Sequence, residues 1–342
     1  MLPAADELLS RVRAIHARIR AAVVAACEAQ SIETLTAADD AHDGDTIFAV
    51  DRISEELLVA LVAEHLGERW PLVLIAEGLP DTGLGPGVVT VPTGLDPADA
   101  TIRVIVDPID GTRGLMYQKR SAWILTGVAP NRGAATMLSD IEVAVQTEIP
   151  LVKQTLSDVV WASRGQGMRA ERYDRRTGTS VQLRLAPSGA KTLLYGFAQI
   201  SRFVPGGRAE LAAIDDEIMA ELLGPIRAGK AMVFEDQYIC TGGQLYELMA
   251  GHDRFSADIR PLLDQLLASR GERLGLCVHP YDICTALIAQ EAGVVVTDGR
   301  GNSFDAPLDV TSACDWVGYA SASLRAHVEP ALHNALRRRG LL

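Results

Sequence analysis

The feature that most constrains the fold is a pair of short apolar runs, each of which ends at a carboxylate. Residues 71–76 lead directly to Glu77, and residues 101–106 lead directly to Asp107. Runs of this length and composition are typical of buried strands. If the two strands are neighbours in one sheet, their carboxylates lie close together where the strands end. The pattern therefore predicts a sheet that brings acidic side chains together.

The other predicted elements are divided unevenly along the chain. The first half has two helices, one with an apolar stripe over residues 8–23 and one at 50–66, a loop-like stretch at 78–100, and strands at 122–128, 159–163, 181–185 and 192–198. Beyond residue 207, helices at 211–223, 242–250, 282–292 and 323–336 alternate with strands at 231–234, 294–297 and 316–320. We therefore predict two tightly packed domains, an N-terminal α+β domain at 1–190 and a C-terminal α/β domain at 191–342.

The charge balance excludes some classes of partner. The chain has 342 residues, with 32 basic and 44 acidic side chains and a formal net charge of −12. A duplex-binding surface would have to be assembled against that field, so we expect no nucleic-acid partner. No apolar run approaches the ~20 residues of a membrane span, so we expect no membrane partner. The five cysteines form no CxxC pair, which is typical of reduced thiols and predicts a cytoplasmic protein.

The strongest candidate for a functional site is the sequence Val-Asp-Pro-Ile-Asp-Gly-Thr at residues 106–112. Its turn can direct Asp107, the Ile109 carbonyl and Asp110 at one point, the all-oxygen environment that a hard cation prefers. If the last two residues of the motif begin a helix, their free N–H groups would bind a phosphate beside that cation. The alternative is a strand-end turn in which the aspartates cap a helix.

Acidic residues in other segments support the functional interpretation. Glu77 closes one buried strand as Asp107 closes another, and Asp282 follows His-Pro-Tyr where a helix is predicted to begin. Upstream, the segment 44–51 is another acidic entry to a predicted helix and ends at Asp51. Together these features favour one shared site over a set of unrelated turns.

In this order, the motifs resemble those of the inositol monophosphatase superfamily. The order is Gly-Asp-x5-Asp at 44–51, Glu77, Asp-Pro-Ile-Asp-Gly-Thr at 107–112, and aromatic-Asp at 281–282 before a helix that ends in Glu-Ala-Gly. That superfamily comprises magnesium-dependent, often lithium-sensitive phosphomonoesterases, including fructose-1,6-bisphosphatase and bisphosphate nucleotidases. The resemblance spans about residues 43–298. It implies an α+β fold, a layered α/β/α/β/α sandwich with an antiparallel-rich first sheet and a mixed second sheet.

The resemblance also implies which residues hold metal ions. Glu77, Asp107 and the Ile109 carbonyl would hold a first Mg²⁺, and Asp107, Asp110 and Asp282 would hold a second. Glu77 would share a third, weaker ion through water, and Mn²⁺ would be the substitute ion. In this scheme the N-terminal domain binds metal and the C-terminal domain completes the active site. Carboxylates this close repel one another without metal, so we expect raised pKa values in the metal-free site.

The catalytic residues follow from the same resemblance. Asp51 and the Thr112 hydroxyl match the pair that orients and deprotonates the attacking water, and Glu77 is the third catalytic residue. Metal ions that bridge a phosphate ester polarise phosphorus, generate hydroxide near neutral pH and neutralise the leaving alkoxide. The motif therefore predicts an in-line attack on a phosphate monoester.

Two turns are predicted to contact the substrate. Gly111, Thr112 and Arg113 would bind the phosphate, and Thr241, Gly242 and Gly243 occupy the place where the family approaches the substrate with small residues. A Gly-Gly helix entry is also a common packing turn, and that alternative stays open.

The sequence departs from the family pattern at four places. Gly78 stands where a second glutamate is usual, and this replacement would weaken binding of the third metal ion. Tyr281 replaces a tryptophan. Arg113 stands where inositol monophosphatases have an uncharged residue. Asp282 lies 172 residues after Asp110, a longer span than in compact members, and the extra chain at 164–235 could reshape the pocket.

The sequence therefore predicts a cytoplasmic, homodimeric enzyme that uses Mg²⁺ to hydrolyse a small phosphorylated metabolite of the inositol phosphate or sugar phosphate kind. Arg113 favours the alternative of a 3′(2′),5′-bisphosphate nucleotidase or a histidinol-phosphate phosphatase. The non-enzyme alternative is a catalytically silent protein that binds a phosphorylated metabolite, because a fold alone does not prove chemistry.

Overall fold

The computed structural model describes residues 2, 4–35, 38–39, 47–48, 57–225 and 227–342. The helices in these ranges are α1 (Ala5–Ala29), α2 (Ile32–Leu35), α3 (57–62), α4 (Thr112–Met116), α5 (Arg208–Leu223), α6 (Thr241–Met249), α7 (Asp264–Ser269), α8 (Ala286–Ala292) and α9 (Ala322–Arg338). The strands are β1 (Ala38–Asp39), β2 (Ile47–Phe48), β3 (Leu72–Ala76), β4 (Val88–Val91), β5 (Ile102–Asp110), β6 (Ala122–Pro130), β7 (Val143–Ile149), β8 (Leu156–Ser163), β9 (Met168–Asp174), β10 (Thr179–Leu183), β11 (Phe197–Ile200), β12 (Asp253–Asp258), β13 (Val295–Thr297) and β14 (Trp316–Tyr319).

Eight strands form the first sheet, in the order β10-β9-β8-β7-β6-β5-β3-β4. All neighbouring strands in it are antiparallel except β3 and β5, which are parallel and place Ala76 beside Val106. The two strands that lead to Glu77 and Asp107 are therefore neighbours that run in the same direction. This confirms the prediction that one sheet brings the two carboxylates together.

Alternate residues of the central strands face two separate cores. Leu72 and Leu74 pack in a core with the apolar stripe of α1, whereas Val73 and Ile75 pack in a core with residues of α6 and α8. All four side chains are fully buried. A strand covered on both faces is apolar at every position, which explains the continuous apolar run at 71–76.

The second sheet has four strands in the order β11-β12-β14-β13, of which β11 and β12 are parallel and the other neighbours antiparallel. Helices α6 and α8 contact strands of both sheets and lie between them, while α5 and α9 contact β11 and β14. With α1 against the first sheet, the layers follow the predicted order α/β/α/β/α. Of the helices described, none is both long and apolar enough to cross a membrane. The domain division at residue 190 stays a prediction.

Most predicted strands and helices are confirmed with shifted ends, but the short β1 and β2 and the strands β4, β7, β9 and β12 were not predicted. β4 has only four residues and follows a glycine- and proline-rich stretch. β7 carries the buried polar side chains Gln146 and Thr147, which bond to Thr285 and His16. Because partners within the fold replace water for these side chains, a strand with polar residues can be buried. β9, in the outer part of the sheet, is mostly half-buried and shows no apolar run.

Two predicted strands differ from the structure. The strand predicted at 192–198 begins only at Phe197, because the backbone carbonyls of Thr192 and Leu194 accept hydrogen bonds from the Arg254 side chain. Residues 231–234 do not form a strand, and Phe234 makes a single isolated bridge with Phe197.

The helix predicted at 282–292 is shorter than expected. It begins at Ala286, and Asp282 lies in the turn before it. The Asp282 carboxylate accepts a hydrogen bond from the backbone N–H of His279 at 2.6 Å. Asp282 therefore closes a turn that precedes the helix.

Candidate metal centre

A β-bulge brings the two aspartates of the central motif to the same side of β5. Asp107 lies opposite Leu125 and Asp110 lies opposite Trp123, so three residue steps on β5 match two on β6. Side chains three residues apart in a regular strand point to opposite faces, and one extra residue reverses that relation. Pro108, which has no N–H to donate to the ladder, lies within the bulge. Both carboxylates therefore line one cavity.

Three carboxylates meet in this cavity. Carboxylate oxygens of Asp107, Asp110 and Asp282 all lie within 4.8 Å of one another. Glu77 lines the same cavity, and its charge contributes to the raised pKa of Asp107 and of Asp282. The structure thus brings together the four carboxylates that the resemblance assigns to metal, with Glu77 outside the tightest group.

The N-terminus of α6 anchors Asp110. The backbone N–H of Gly242 donates to Asp110 Oδ2 at 2.5 Å, and that of Thr241 donates to Oδ1 at 3.3 Å. Cys240, the N-cap of α6, accepts from the N–H of Gly243 and donates to the Asp110 carbonyl. A helix N-terminus favours negative charge, so α6 holds Asp110 in one orientation.

Backbone contacts within the motif hold Asp107 and Thr112. Asp107 Oδ1 accepts the N–H of Ile109 at 2.9 Å, and the Thr112 hydroxyl donates to the Ile109 carbonyl at 2.8 Å. A carbonyl oxygen has two lone pairs, so this contact leaves one for a metal ion. The Ile109 carbonyl therefore fits its predicted role together with the Thr112 hydroxyl.

Burial and mutual repulsion disfavour the ionised form of the carboxylates in this site. Burial, and then repulsion by Asp110, Glu77 and Asp282, raises the pKa of Asp107 well above its usual range. Burial and repulsion by Asp110 do the same to the pKa of Asp282. Burial raises the pKa of Asp110 to about 6, and the α6 N–H groups limit that rise. Hard oxygen donors in a repelling cluster fit a divalent cation such as Mg²⁺, whose charge would remove the repulsion.

The glycines of the second predicted substrate turn have a packing role. A Cβ at Gly242 would lie 2.5 Å from Leu125 Cδ2 and 3.1 Å from Asp110 Oδ2, and a Cβ at Gly243 would overlap the Tyr238 ring. All three residues of the turn are buried, and of the three only Thr241 lines the cavity. The packing alternative thus explains both glycines, and their contact with a substrate stays a prediction.

The cavity above the carboxylates has a volume of about 1130 Å³. The predicted phosphate-binding residues Gly111, Thr112 and Arg113 line it. Of the long segment 164–235, Phe203 is the one described residue that lines the cavity. The same segment contributes the β9–β10 hairpin, β11 and α5. Asp51, the predicted partner of Thr112, lies outside the described residues.

Two residues near the site were missed or only partly understood from the sequence. Gln146 donates to the Gly242 carbonyl at 2.7 Å and accepts the Thr285 hydroxyl at 3.0 Å, so it joins the α6 turn to the entry of α8. The polar residue within an otherwise apolar strand was the available signal. Tyr281 was predicted as an aromatic replacement, but its hydroxyl donates to Glu77.

Solved structures match the fold over almost the whole chain, although no protein-family model and no curated protein matches the sequence. Extragenic suppressor protein SuhB from Bartonella henselae aligns with a TM-score of 0.64 and 16% identity, over 95% of this chain and 98% of its own. Fructose-1,6-bisphosphatase from Leishmania major aligns with a TM-score of 0.67 and 14% identity, over 97% and 96%. The IMPase (inositol monophosphatase) from Thermotoga maritima aligns with a TM-score of 0.60 and 14% identity, over 96% and 99%.

These alignments cover 95% or more of the chain. At such identities the likeness concerns the fold. The layer order and the two sheets agree with the expectation drawn from the motifs. The chain therefore has the fold of the inositol monophosphatase superfamily.

Proposed function

We propose that the protein hydrolyses a small phosphate monoester, of the inositol phosphate or sugar phosphate kind, with Mg²⁺ as its cofactor. The observation that carries the proposal is the group of Asp107, Asp110 and Asp282 in one cavity. Two of the fold neighbours are phosphatases by name, which supports the same reaction class. The cavity volume of about 1130 Å³ suits a phosphorylated metabolite and its metal ions.

The carboxylates would hold two or three ions. Asp107 would be a ligand of both main ions. The first ion would also be held by Glu77 and the Ile109 carbonyl, and the second by Asp110 and Asp282. Bound Mg²⁺ supplies charge for the phosphate oxygens and lowers the pKa of a water ligand. The residues themselves contribute fixed positions, because each aspartate already accepts a backbone hydrogen bond.

Thr112 and Asp51 are assigned to the attacking water. The Thr112 hydroxyl lies in the cavity beside the carboxylates and is oriented by its bond to the Ile109 carbonyl. Asp51 would accept the proton of that water, a role that rests on the sequence motif. Gly111 and Arg113 line the cavity next to Thr112, which supports their assignment to the phosphate.

Arg113 supports the second candidate, a more anionic substrate such as a 3′(2′),5′-bisphosphate nucleotide or histidinol phosphate. Its side chain lines the cavity, where a guanidinium can pair with a further phosphate. Most of the remaining wall is apolar and includes Phe203, Ile239 and Leu276. Preference for such an ester over inositol 1-phosphate would favour this candidate.

The proposal includes a homodimer in the cytoplasm, as the sequence predicts. All five cysteines are free in the structure, which supports a reducing compartment. Size-exclusion chromatography with light scattering would test the dimer.

The test is phosphate release from inositol 1-phosphate, fructose 1,6-bisphosphate, adenosine 3′,5′-bisphosphate and histidinol phosphate. Each ester is assayed with Mg²⁺, with Mn²⁺, with EDTA, and with Mg²⁺ plus lithium. We expect turnover that requires Mg²⁺ or Mn²⁺ and is abolished by EDTA. Asp110→Asn should remove turnover from a folded protein, while Asp96→Asn, at an exposed helix N-cap that does not line the cavity, should not.

A catalytically silent binding protein would give a different result. It would bind one of these esters in the presence of Mg²⁺ and release no phosphate from any of them. Retention of full turnover by Asp110→Asn would contradict the assignment of the site, because Asp110 would then not take part in the reaction.

A further inference from the structure

One hydrogen bond links the two loops that carry Glu77 and Asp282. The Tyr281 hydroxyl donates to Glu77 Oε1 at 3.2 Å across 204 residues of sequence. Glu77 directly follows β3, and Tyr281 lies in the turn that precedes α8. The contact therefore joins two separate loops of the candidate metal centre.

The turn at 279–282 is built to hold Tyr281 in this position. The His279 and Tyr281 rings stack with centroids 5.4 Å apart and planes 8° apart. His279 Nδ1 lies 3.3 Å from the Tyr281 hydroxyl, and the His279 backbone N–H donates to Asp282 Oδ2 at 2.6 Å. One short turn thus contacts two carboxylates of the site, Asp282 through its backbone and Glu77 through a side chain.

The hydroxyl group of Tyr281, rather than its ring, indicates a role in the candidate metal centre. The side chain is buried, with 5% exposure, and a phenylalanine ring would fill the same space. A buried hydroxyl is retained at low cost only where it has polar partners, and those of Tyr281 include Glu77 and His279. The hydrogen bond is therefore directed at the metal centre.

The contact is compatible with a metal ion on the same carboxylate. An ionised carboxylate has about four acceptor positions on two oxygens, so one oxygen can accept from Tyr281 while the other binds metal. Hydrogen bonds to metal ligands fix their orientation, and their loss typically weakens metal binding about 10- to 100-fold. Glu77 is half-buried, and the Tyr281 hydroxyl gives one of its carboxylate oxygens a fixed donor.

We propose that Tyr281 is a positioning residue that orients Glu77 toward the metal ions and couples it to the turn carrying Asp282. The inference rests on the proposed function, because it assigns Tyr281 to the Mg²⁺ site. Tyr281 acts through Glu77 and takes no part in the chemical step. The tyrosine hydroxyl thus supplies a contact to Glu77 that phenylalanine at this position would lack.

The first experiment measures Mg²⁺ affinity by calorimetry in the purified, substrate-free protein. Tyr281→Phe should bind Mg²⁺ about 10-fold more weakly than the wild type, the lower end of the range for a lost bond to a ligand. Tyr319→Phe is the matched control, since Tyr319 is equally buried but lies on β14 in the second sheet, and its affinity should equal that of the wild type. Thermal unfolding without metal checks that both variants are folded.

The second experiment repeats Tyr281→Phe in a Glu77→Ala background, where Mg²⁺ can still bind the three aspartates. If Tyr281 acts through Glu77, the second substitution should cause no further loss of affinity. A purely packing role would give the same loss in both backgrounds and would overturn the inference. His279→Phe keeps the ring stack without Nδ1, and it should weaken Mg²⁺ binding less than Tyr281→Phe.

The outcomes separate this inference from the proposed function. Wild-type Mg²⁺ binding and turnover with an unchanged Tyr281→Phe would overturn the role of Tyr281 alone. A wild-type protein that binds no Mg²⁺ would overturn both. Weaker binding by Tyr281→Phe that disappears without Glu77 would establish the positioning role.

Discussion

Asp158 and Asp107 are buried in two different regions of the molecule, and the side chains around them carry opposite charges. Asp158, 3% exposed, accepts two hydrogen bonds from the Arg172 guanidinium at 2.6 and 2.7 Å and one from the Tyr246 hydroxyl at 2.5 Å. Asp107, 1% exposed, faces Asp110 and Asp282 instead. A buried carboxylate paired with a cation of the same chain contributes to stability, whereas one that faces other carboxylates requires a cation from outside. The comparison distinguishes a structural from a functional aspartate.

The largest expected effect is on activity at the carboxylate group. Asp107→Asn should lower Mg²⁺-dependent phosphate release about 1000-fold, because a ligand shared by two ions contributes several kcal/mol to the transition state. The same change should raise the free energy of unfolding of the metal-free protein, because it removes one of the repelling charges. Phosphate release and urea unfolding measure the two effects. If Asp107→Asn instead lowers the free energy of unfolding of the metal-free protein, the distinction between Asp107 and Asp158 is wrong.

The second effect is a pH dependence of stability without metal. Burial raises the pKa of Asp110 from 3.8 to about 6, so the folded protein binds this proton more tightly than the unfolded chain. The bound proton therefore stabilises the folded protein fully at pH values below the unfolded pKa. This stabilisation is lost as the pH rises through 6, which lowers the free energy of unfolding by up to about 3 kcal/mol.

Urea unfolding at pH 5 and pH 7 in metal-free buffer checks this prediction. Asp110→Asn should show a smaller loss between the two pH values than the wild type. The comparison with this variant separates Asp110 from Asp215 and Asp253, whose pKa values burial also raises, to about 6 and about 7. Saturating Mg²⁺ should reduce the pH dependence of the wild type.

The third effect concerns the paired aspartate. Asp158→Asn should destabilise the protein by about 2 kcal/mol, since it weakens charged hydrogen bonds in a buried site, while water reaches the partly exposed Arg172. Phosphate release should stay near the wild-type rate. Asp174→Asn, which affects the exposed pair with Arg176, is the control and should leave stability unchanged. Equal effects of the two substitutions would contradict a structural role for Asp158.

The smallest expected effect tests the turn that anchors Asp110. Gly243→Ala should destabilise the protein by about 1–2 kcal/mol, because the added methyl group overlaps the Tyr238 ring. Gly189→Ala is the control, since a Cβ there meets no atom within 4 Å. If Gly243→Ala keeps its stability but raises KM, the turn contacts the substrate and the packing explanation is wrong.

The part of the fold that could be predicted was set by local patterns. The runs at 71–76 and 101–106 predict neighbouring buried strands, and the stripe at 8–23 predicts the face of α1, because burial on a known face dictates apolar spacing. The motif at 107–112 predicted the carboxylate group. β7 escaped prediction because its buried Gln146 is satisfied by Gly242 and Thr285, which lie far away in sequence.

The sequence by itself determined the inventory of the site, since the acidic residues and the strands that end at them are encoded in short segments. Only the tertiary structure decided how these residues are oriented. The bulge in β5 turns Asp107 and Asp110 to one side, the α6 N-terminus holds Asp110 across more than 130 residues, and Tyr281 reaches Glu77 across 204. Such contacts depend on how distant segments pack, and no local propensity encodes a distance between them.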